Sequence, residues 1–227
     1  MPEALRRLAA GVSTRTRLIL VLSAVVCVPL VVALVALTRT HWSPVLDLAM
    51  TELRVRDVGT RHTPLIGLPG RIGTIPDQGS HPGPLSFYLL APIYRLLGQT
   101  SWSLELGTVV IHVAATVLVL VLAYRRGGRR LCIAAAVLMA LVLRGYGANV
   151  LTQPWNPYLP VIPWLLALFA VWSLLEGDAM ALLPFVVAGT LCAQTHVPYL
   201  ALIGGMIVLA GGWIVVRGRL GHGIPMP

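Results

Sequence analysis

The 227-residue chain contains no lysine and little charge of either sign: 17 arginines and eight acidic residues make it 11% charged. A soluble domain carries about 25% charged residues, so the shortage excludes a water-facing surface over most of the molecule. Cysteine is scarce too. Cys27, Cys132 and Cys192 lie inside apolar runs with neither metal-ligand spacing nor a disulfide framework, and such residues act as small hydrophobes. No metal ligand and no cofactor is assigned, although a divalent-metal requirement stays open. There is no basic stripe with interleaved aromatics, so nucleic acid is not an expected partner. Nor does the N-terminus read as a cleaved signal peptide, because the apolar stretch 18–37 is longer than an h-region and lacks a small-x-small exit; it is expected to be a signal anchor or first span.

What is present is hydrocarbon: 57% of the residues are hydrophobic, in several runs close to the ~20 residues that cross a bilayer as a helix. The expected fold is all-α, a polytopic transmembrane bundle of about six spans, near 18–38, 102–124, 131–147, 158–175, 180–196 and 199–216. These divide the chain into a basic N-terminus (1–17), a membrane domain (18–216) whose first outer loop is 39–101, and a tail (217–227). Segments 1–17, 125–130 and 217–219 hold four, four and two arginines, which alternating spans place together on the cytoplasmic side. The expected location is the plasma membrane, with segments 39–101, 145–157 and 195–199 outward. Glu-Gly-Asp at 176–178 fits neither side strongly. An arginine-only chain rich in Ala, Gly, Val and Leu also points to a GC-rich genome, such as that of an actinobacterium.

Within 39–101, Ser43 is a good N-cap, Pro44 suits a first helical turn and Gly59 a stop. Leu46, Ala49, Met50 and Leu53 form an apolar stripe on a helix expected to lie along the outer membrane surface. The irregular stretch 59–84 follows, then a short apolar helix, 85–97.

Four polar groups could carry chemistry. Asp47, Glu52 and Asp57 share the first short helix, where an acid near the N-terminus stays ionised and suits a general base; the alternative is solvated charge paired with Arg54 and Arg56. Arg54, Arg71, His81 and Arg95 suit a lipid phosphate, or else snorkel at the interface. Pro82 and Pro84 fix the chain leaving His81. Glu105 and His112 lie on one face of the second span, where ionisable residues are functional candidates or partners of a neighbouring helix. Asn149, Gln153, Trp155, Asn156, His196 and Tyr199 belong to the outer loops, suited to sugar hydroxyls or to an ordinary aromatic belt.

The stretch "DLAMTELRVRDVGTRHTPLIG" (47–67) followed by "HPGPLSFYLLAPIYRLLG" (81–98) resembles the first outer loop of GT-C membrane glycosyltransferases. It is most similar to the protein mannosyltransferase and aminoarabinose transferase group. The resemblance is good over roughly 45–98 and only general elsewhere. It implies a sugar transferred, with inversion, from a polyprenyl-phosphate donor to an extracytoplasmic glycan, lipid or protein acceptor. Asp47 would be the base, helped by Glu52, since Leu48 stands where relatives often have a second acid. His81 stands where relatives have a phosphate-binding Lys, with Arg54 and Arg71 as further phosphate ligands. Asn149, Gln153, Asn156 and His196 would bind sugar or acceptor. Family members are longer, so a chain of about six spans would correspond to an N-terminal or truncated part. The alternatives are a non-catalytic lipid or sugar carrier, a transporter part, or an inactive fragment.

Overall fold

The computed structural model describes residues 13–39, 42–70, 73–74 and 77–219. Among them the chain is helical, with one isolated antiparallel bridge between Pro69 and Ser80. The helices are α1 (Thr14–Leu37), α2 (Asp47–Asp57), α3 (Leu85–Leu96), α4 (Ser101–Tyr146) and α5 (Ala148–Leu151), then α6 (Val161–Leu175), α7 (Leu182–Thr195) and α8 (Pro198–Arg219). A 3-10 turn, Ala179–Ala181, precedes α7. Three of these, α1, α4 and α8, are long and apolar enough to cross a membrane, and α3, α6 and the run Ala179–Thr195 are shorter apolar helices.

Helix α1 shows why the surface suits lipid. The Ser13 hydroxyl caps it by accepting the Thr16 N–H at 3.1 Å. Its buried face carries Ile19, Val26, Leu30 and Leu34, while Val21, Val25, Val28 and Val32 on the other face are exposed. In water, a row of bare valines would be a liability; in hydrocarbon it has no cost.

The second and third expected spans are one element, α4, interrupted only at Gly127 (φ −140°) and Gly128 (φ 60°, ψ −151°). Unbroken, 46 residues would run about 69 Å, over twice the thickness of a bilayer core. The glycine pair ends the first limb, and the second returns alongside it: Thr152 lies against Glu105, and Leu151 against His112. Only a residue tolerant of positive φ fits Gly128 comfortably.

The two ends of the bundle differ in chemistry. One gathers arginines. Arg15 sits 5.2 Å over the Tyr124 ring, and the Trp213 indole N–H and Arg217 both donate to the Leu175 carbonyl. Asp178, 3% exposed, takes a two-pronged bond from Arg125 (2.8 Å each) and one from Arg126 (3.2 Å). This accounts for an acidic turn among basic segments. Burial alone would raise the Asp178 carboxyl, but the hydrogen bonds and charges of Arg125 and Arg126 outweigh it and hold it below the usual value. The stabilisation is therefore complete above the unfolded carboxylate value of about 3.9 and is lost as pH falls through the lower folded value. Asp178→Asn is expected to cost about 1–3 kcal/mol, less than a fully buried pair because Arg125 is a third exposed. Thermal unfolding in detergent at neutral pH checks it; unchanged melting would refute it.

The opposite end gathers α2, the irregular stretch after it, α3, and the segment from Gly147 to Pro160. Beneath them Val55, Leu68, Phe87, Leu90, Tyr94 and Leu104 form a separate apolar cluster. Gly107 allows the close approach, since a Cβ there would come 2.8 Å from Leu90 Cδ2.

Candidate functional site

Helix α2 starts later than Ser43 implies. Residues 43–45 are non-helical, Leu46 takes a positive φ of 51° with ψ −124°, and the helix begins at Asp47 with no side-chain cap. A leucine in that region is strained, and the turn places Asp47 at the helix N-terminus. The apolar stripe does not face the core. Leu46, Met50 and Leu53 are exposed, and Thr51, Glu52 and Val55 point inward.

That inversion decides the place of Glu52. Its carboxylate accepts the Tyr94 hydroxyl at 2.8 Å and the Ser101 hydroxyl at 2.9 Å. It ties α2 to α3 and to the start of α4, and it does not line the cavity described below. A base there would act at a distance from anything the cavity holds, so the structure gives Glu52 a tethering position.

The knuckle around His81 is held from two sides. His81 N–H donates to the Leu68 carbonyl at 2.9 Å, and Gly67 N–H to the His81 carbonyl at 3.0 Å. On the other side, Gly83 N–H donates to the Gln194 carbonyl (3.2 Å) and Leu85 N–H to Gln194 Oε1 (3.1 Å). Gly83 has no space for a Cβ, which would collide with the Gln194 side chain. Tyr88 on α3 donates its hydroxyl to the Pro64 carbonyl at 2.6 Å. The two prolines and Gln194 thus fix His81 against the C-terminal end of α7, where His196 follows.

A cavity of about 980 Å³ opens here. Its polar wall is Asp47, Gln78, Ser80, His81, Asn156 and His196; its apolar wall includes Met50, Leu68, Pro157 and Leu200. Asp47 Oδ2 accepts the Trp155 indole N–H at 3.0 Å. The His81 and His196 rings lie 5.4 Å apart, and each leaves Nδ1 buried without a partner. Burial, reinforced by the charge His196 would carry and opposed by Asp47, lowers the His81 value below its ordinary range; burial lowers that of His196. Both shifts favour the neutral ring.

Of the expected site residues, the cavity brings together Asp47, His81, Asn156 and His196. Arg54 is half-buried on α2, Gln153 is half-buried and Asn149 is exposed; none of the three lines it. Arg71 lies outside the described residues. Glu105 and His112 are buried inside the bundle, His112 Nε2 being 3.1 Å from the Leu159 carbonyl, and neither lines the cavity. Sequence reasoning missed Gln194, Gln78 and Ser80, and it left Trp155 between a sugar contact and an aromatic-belt residue. The only signal for Gln194 was an amide at the end of an apolar run. Among the described residues no three His, Cys, Asp or Glu side chains converge as metal ligands.

No family model, curated protein or solved structure matches the chain.

Proposed function

We propose that the chain is a membrane glycosyltransferase of the GT-C type, or a part of one, using a polyprenyl-phosphate sugar and facing outward from the plasma membrane. The observation that carries this reading is the convergence of Asp47, Trp155, Asn156, His81 and His196 on one cavity, from segments distant in sequence. Six apolar segments support the topology: α1, the two limbs of α4, α6, the run ending in α7, and α8. Alternation then puts Arg15, Arg125, Arg126, Arg217 and Arg219 on the cytoplasmic side, as basic residues prefer, and the cavity outside.

In the proposed reaction Asp47 accepts the proton of an acceptor hydroxyl. The hydroxyl oxygen bonds to the anomeric carbon from the face opposite the phosphate. The bond from that carbon to the phosphate oxygen breaks, and its electron pair leaves on the polyprenyl phosphate, giving inversion. Trp155 donates its indole N–H to Asp47 Oδ2, and the carboxylate so oriented takes the proton. Hydrogen-bond donors around the leaving phosphate stabilise its growing charge. Asn156, 6% exposed but lining the cavity, offers an amide to sugar hydroxyls. A donor with one phosphate supplies its own leaving group.

The test is transfer of labelled sugar from a polyprenyl-phosphate donor in vesicles containing the purified chain, with endogenous lipid and glycan acceptors. Labelled product above protein-free vesicles is the expected result. Its absence across hexosyl and pentosyl donors, with donor binding intact, would favour a carrier instead.

A further inference from the structure

The phosphate role expected of His81 leaves its neighbour unexplained. His196 is brought beside it by the Gln194 clamp, with ring planes 33° apart. In each ring the buried, unpartnered nitrogen is Nδ1, so Nε2 is the edge left for the cavity that both residues line. A hydrogen on Nδ1 would be a buried donor without an acceptor, which is costly. Each neutral ring therefore carries its hydrogen on Nε2.

We propose that His81 and His196 together form a neutral two-donor fork for a phosphate group, each Nε2–H bonding a different phosphate oxygen. Ring centroids 5.4 Å apart leave room for two bonds of about 2.8 Å to different oxygens of one phosphate. The inference deepens the transferase reading and rests on it for the ligand's class, a polyprenyl phosphate ester. It also moves His196 from the sugar or acceptor to the leaving group. The ionisable groups around the pair are Asp47 from α2, Tyr199 with its ring 6.2 Å from that of His196, and Cys192, whose carbonyl accepts the His196 N–H at 3.1 Å. None of these described groups is a cation. Neutrality has a use beside Asp47: an imidazolium pair would draw the carboxylate and weaken it as a base.

The experiment measures binding of a short polyprenyl monophosphate to the full chain in nanodiscs, from about pH 7 to 9, where the ligand's second ionisation is complete. Neutral donors predict constant affinity. His81→Ala and His196→Ala should each weaken binding ~10- to 100-fold, the worth of a hydrogen bond to a charged group. His81→Gln and His196→Gln place an amide N–H near the Nε2 position and should restore most of it, which a merely structural histidine would not show. Affinity falling about tenfold per pH unit would overturn the neutral fork, as would wild-type binding by His196→Ala. Inorganic phosphate competing with the same histidine dependence supports recognition of the phosphate itself; an added advantage for the polyprenyl ester assigns the fork to a lipid-linked ligand. Histidine-dependent binding without sugar transfer would remove the transferase and keep the fork. Transfer insensitive to His196→Ala would remove the fork and keep the transferase.

Discussion

Asp47→Asn is expected to lower sugar transfer by ~10²- to 10⁴-fold, the range a general base supplies, while leaving helical content and melting as in the wild type. Asparagine has the same shape, and its carbonyl oxygen can still accept the Trp155 indole N–H that Asp47 Oδ2 now takes at 3.0 Å. What it cannot do is accept the acceptor's proton. Trp155→Phe separates the two roles, because it removes the hydrogen bond and keeps the carboxylate. If Asp47 served only to hold Trp155, the phenylalanine variant would lose as much activity as the asparagine variant. The expected order is a small loss for Trp155→Phe and near abolition for Asp47→Asn. Turnover of the asparagine variant within a few-fold of wild type would remove Asp47 as the base.

Gly67→Ala should have the second largest effect, although the residue lies outside the cavity wall. A Cβ at Gly67 would stand 2.7 Å from His81 Cβ, 2.8 Å from the His81 carbonyl oxygen and 3.1 Å from that of Gly83. Two of these three neighbours are backbone and cannot swing aside, so the rung that joins Gly67 to His81 must open. Overpacking of this kind costs about 1–3 kcal/mol. The displaced His81 should weaken polyprenyl-phosphate binding by ~10-fold or more, as loss of one charge-assisted bond would. Gly204→Ala is the control, a helical glycine with nothing within 4 Å of the added carbon. If Gly67→Ala bound and melted like Gly204→Ala, the knuckle would not be what positions His81.

The parts of this architecture legible in the sequence were those set by composition and local pattern. The apolar runs that became α1, α6 and α8 were bounded within a few residues, because hydrophobic length decides them. Gly59 stops α2 as expected, with φ 75°, and the prolines flanking Gly83 rightly marked a rigid exit from His81. Asp47, His81, Asn156 and His196 were placed on one side by counting spans, and they do share a cavity.

The remainder depended on contacts between distant segments. Glu52 has the chemistry of a helper base, but Tyr94 and Ser101 bind it, and nothing within α2 signals that. The stripe at Leu46, Met50 and Leu53 has helical spacing whichever way it faces; packing by α3 turned it outward. Asn149 and Gln153 occupy the same loop as Asn156, yet Asn149 sits in the short helix α5 behind Gly147 (φ 90°), and only Asn156 of the three lines the cavity. Ser43 satisfied every local rule for a cap and was bypassed by the turn at Leu46.

The outward stripe of α2 also has a bearing on how this protein would meet its substrate. Leu46, Met50 and Leu53 are uncovered immediately beside Asp47, and Met50 belongs at once to that stripe and to the cavity wall. On the proposed reading, a helix with such a face would rest at the boundary between headgroups and acyl chains and bring the carboxylate to the depth of a lipid's phosphate. A lipid-borne donor would then arrive by lateral diffusion within a sheet, without ever entering water. The concentration that governs its capture would be molecules per area of membrane, so diluting the surrounding solution would leave the encounter rate unchanged.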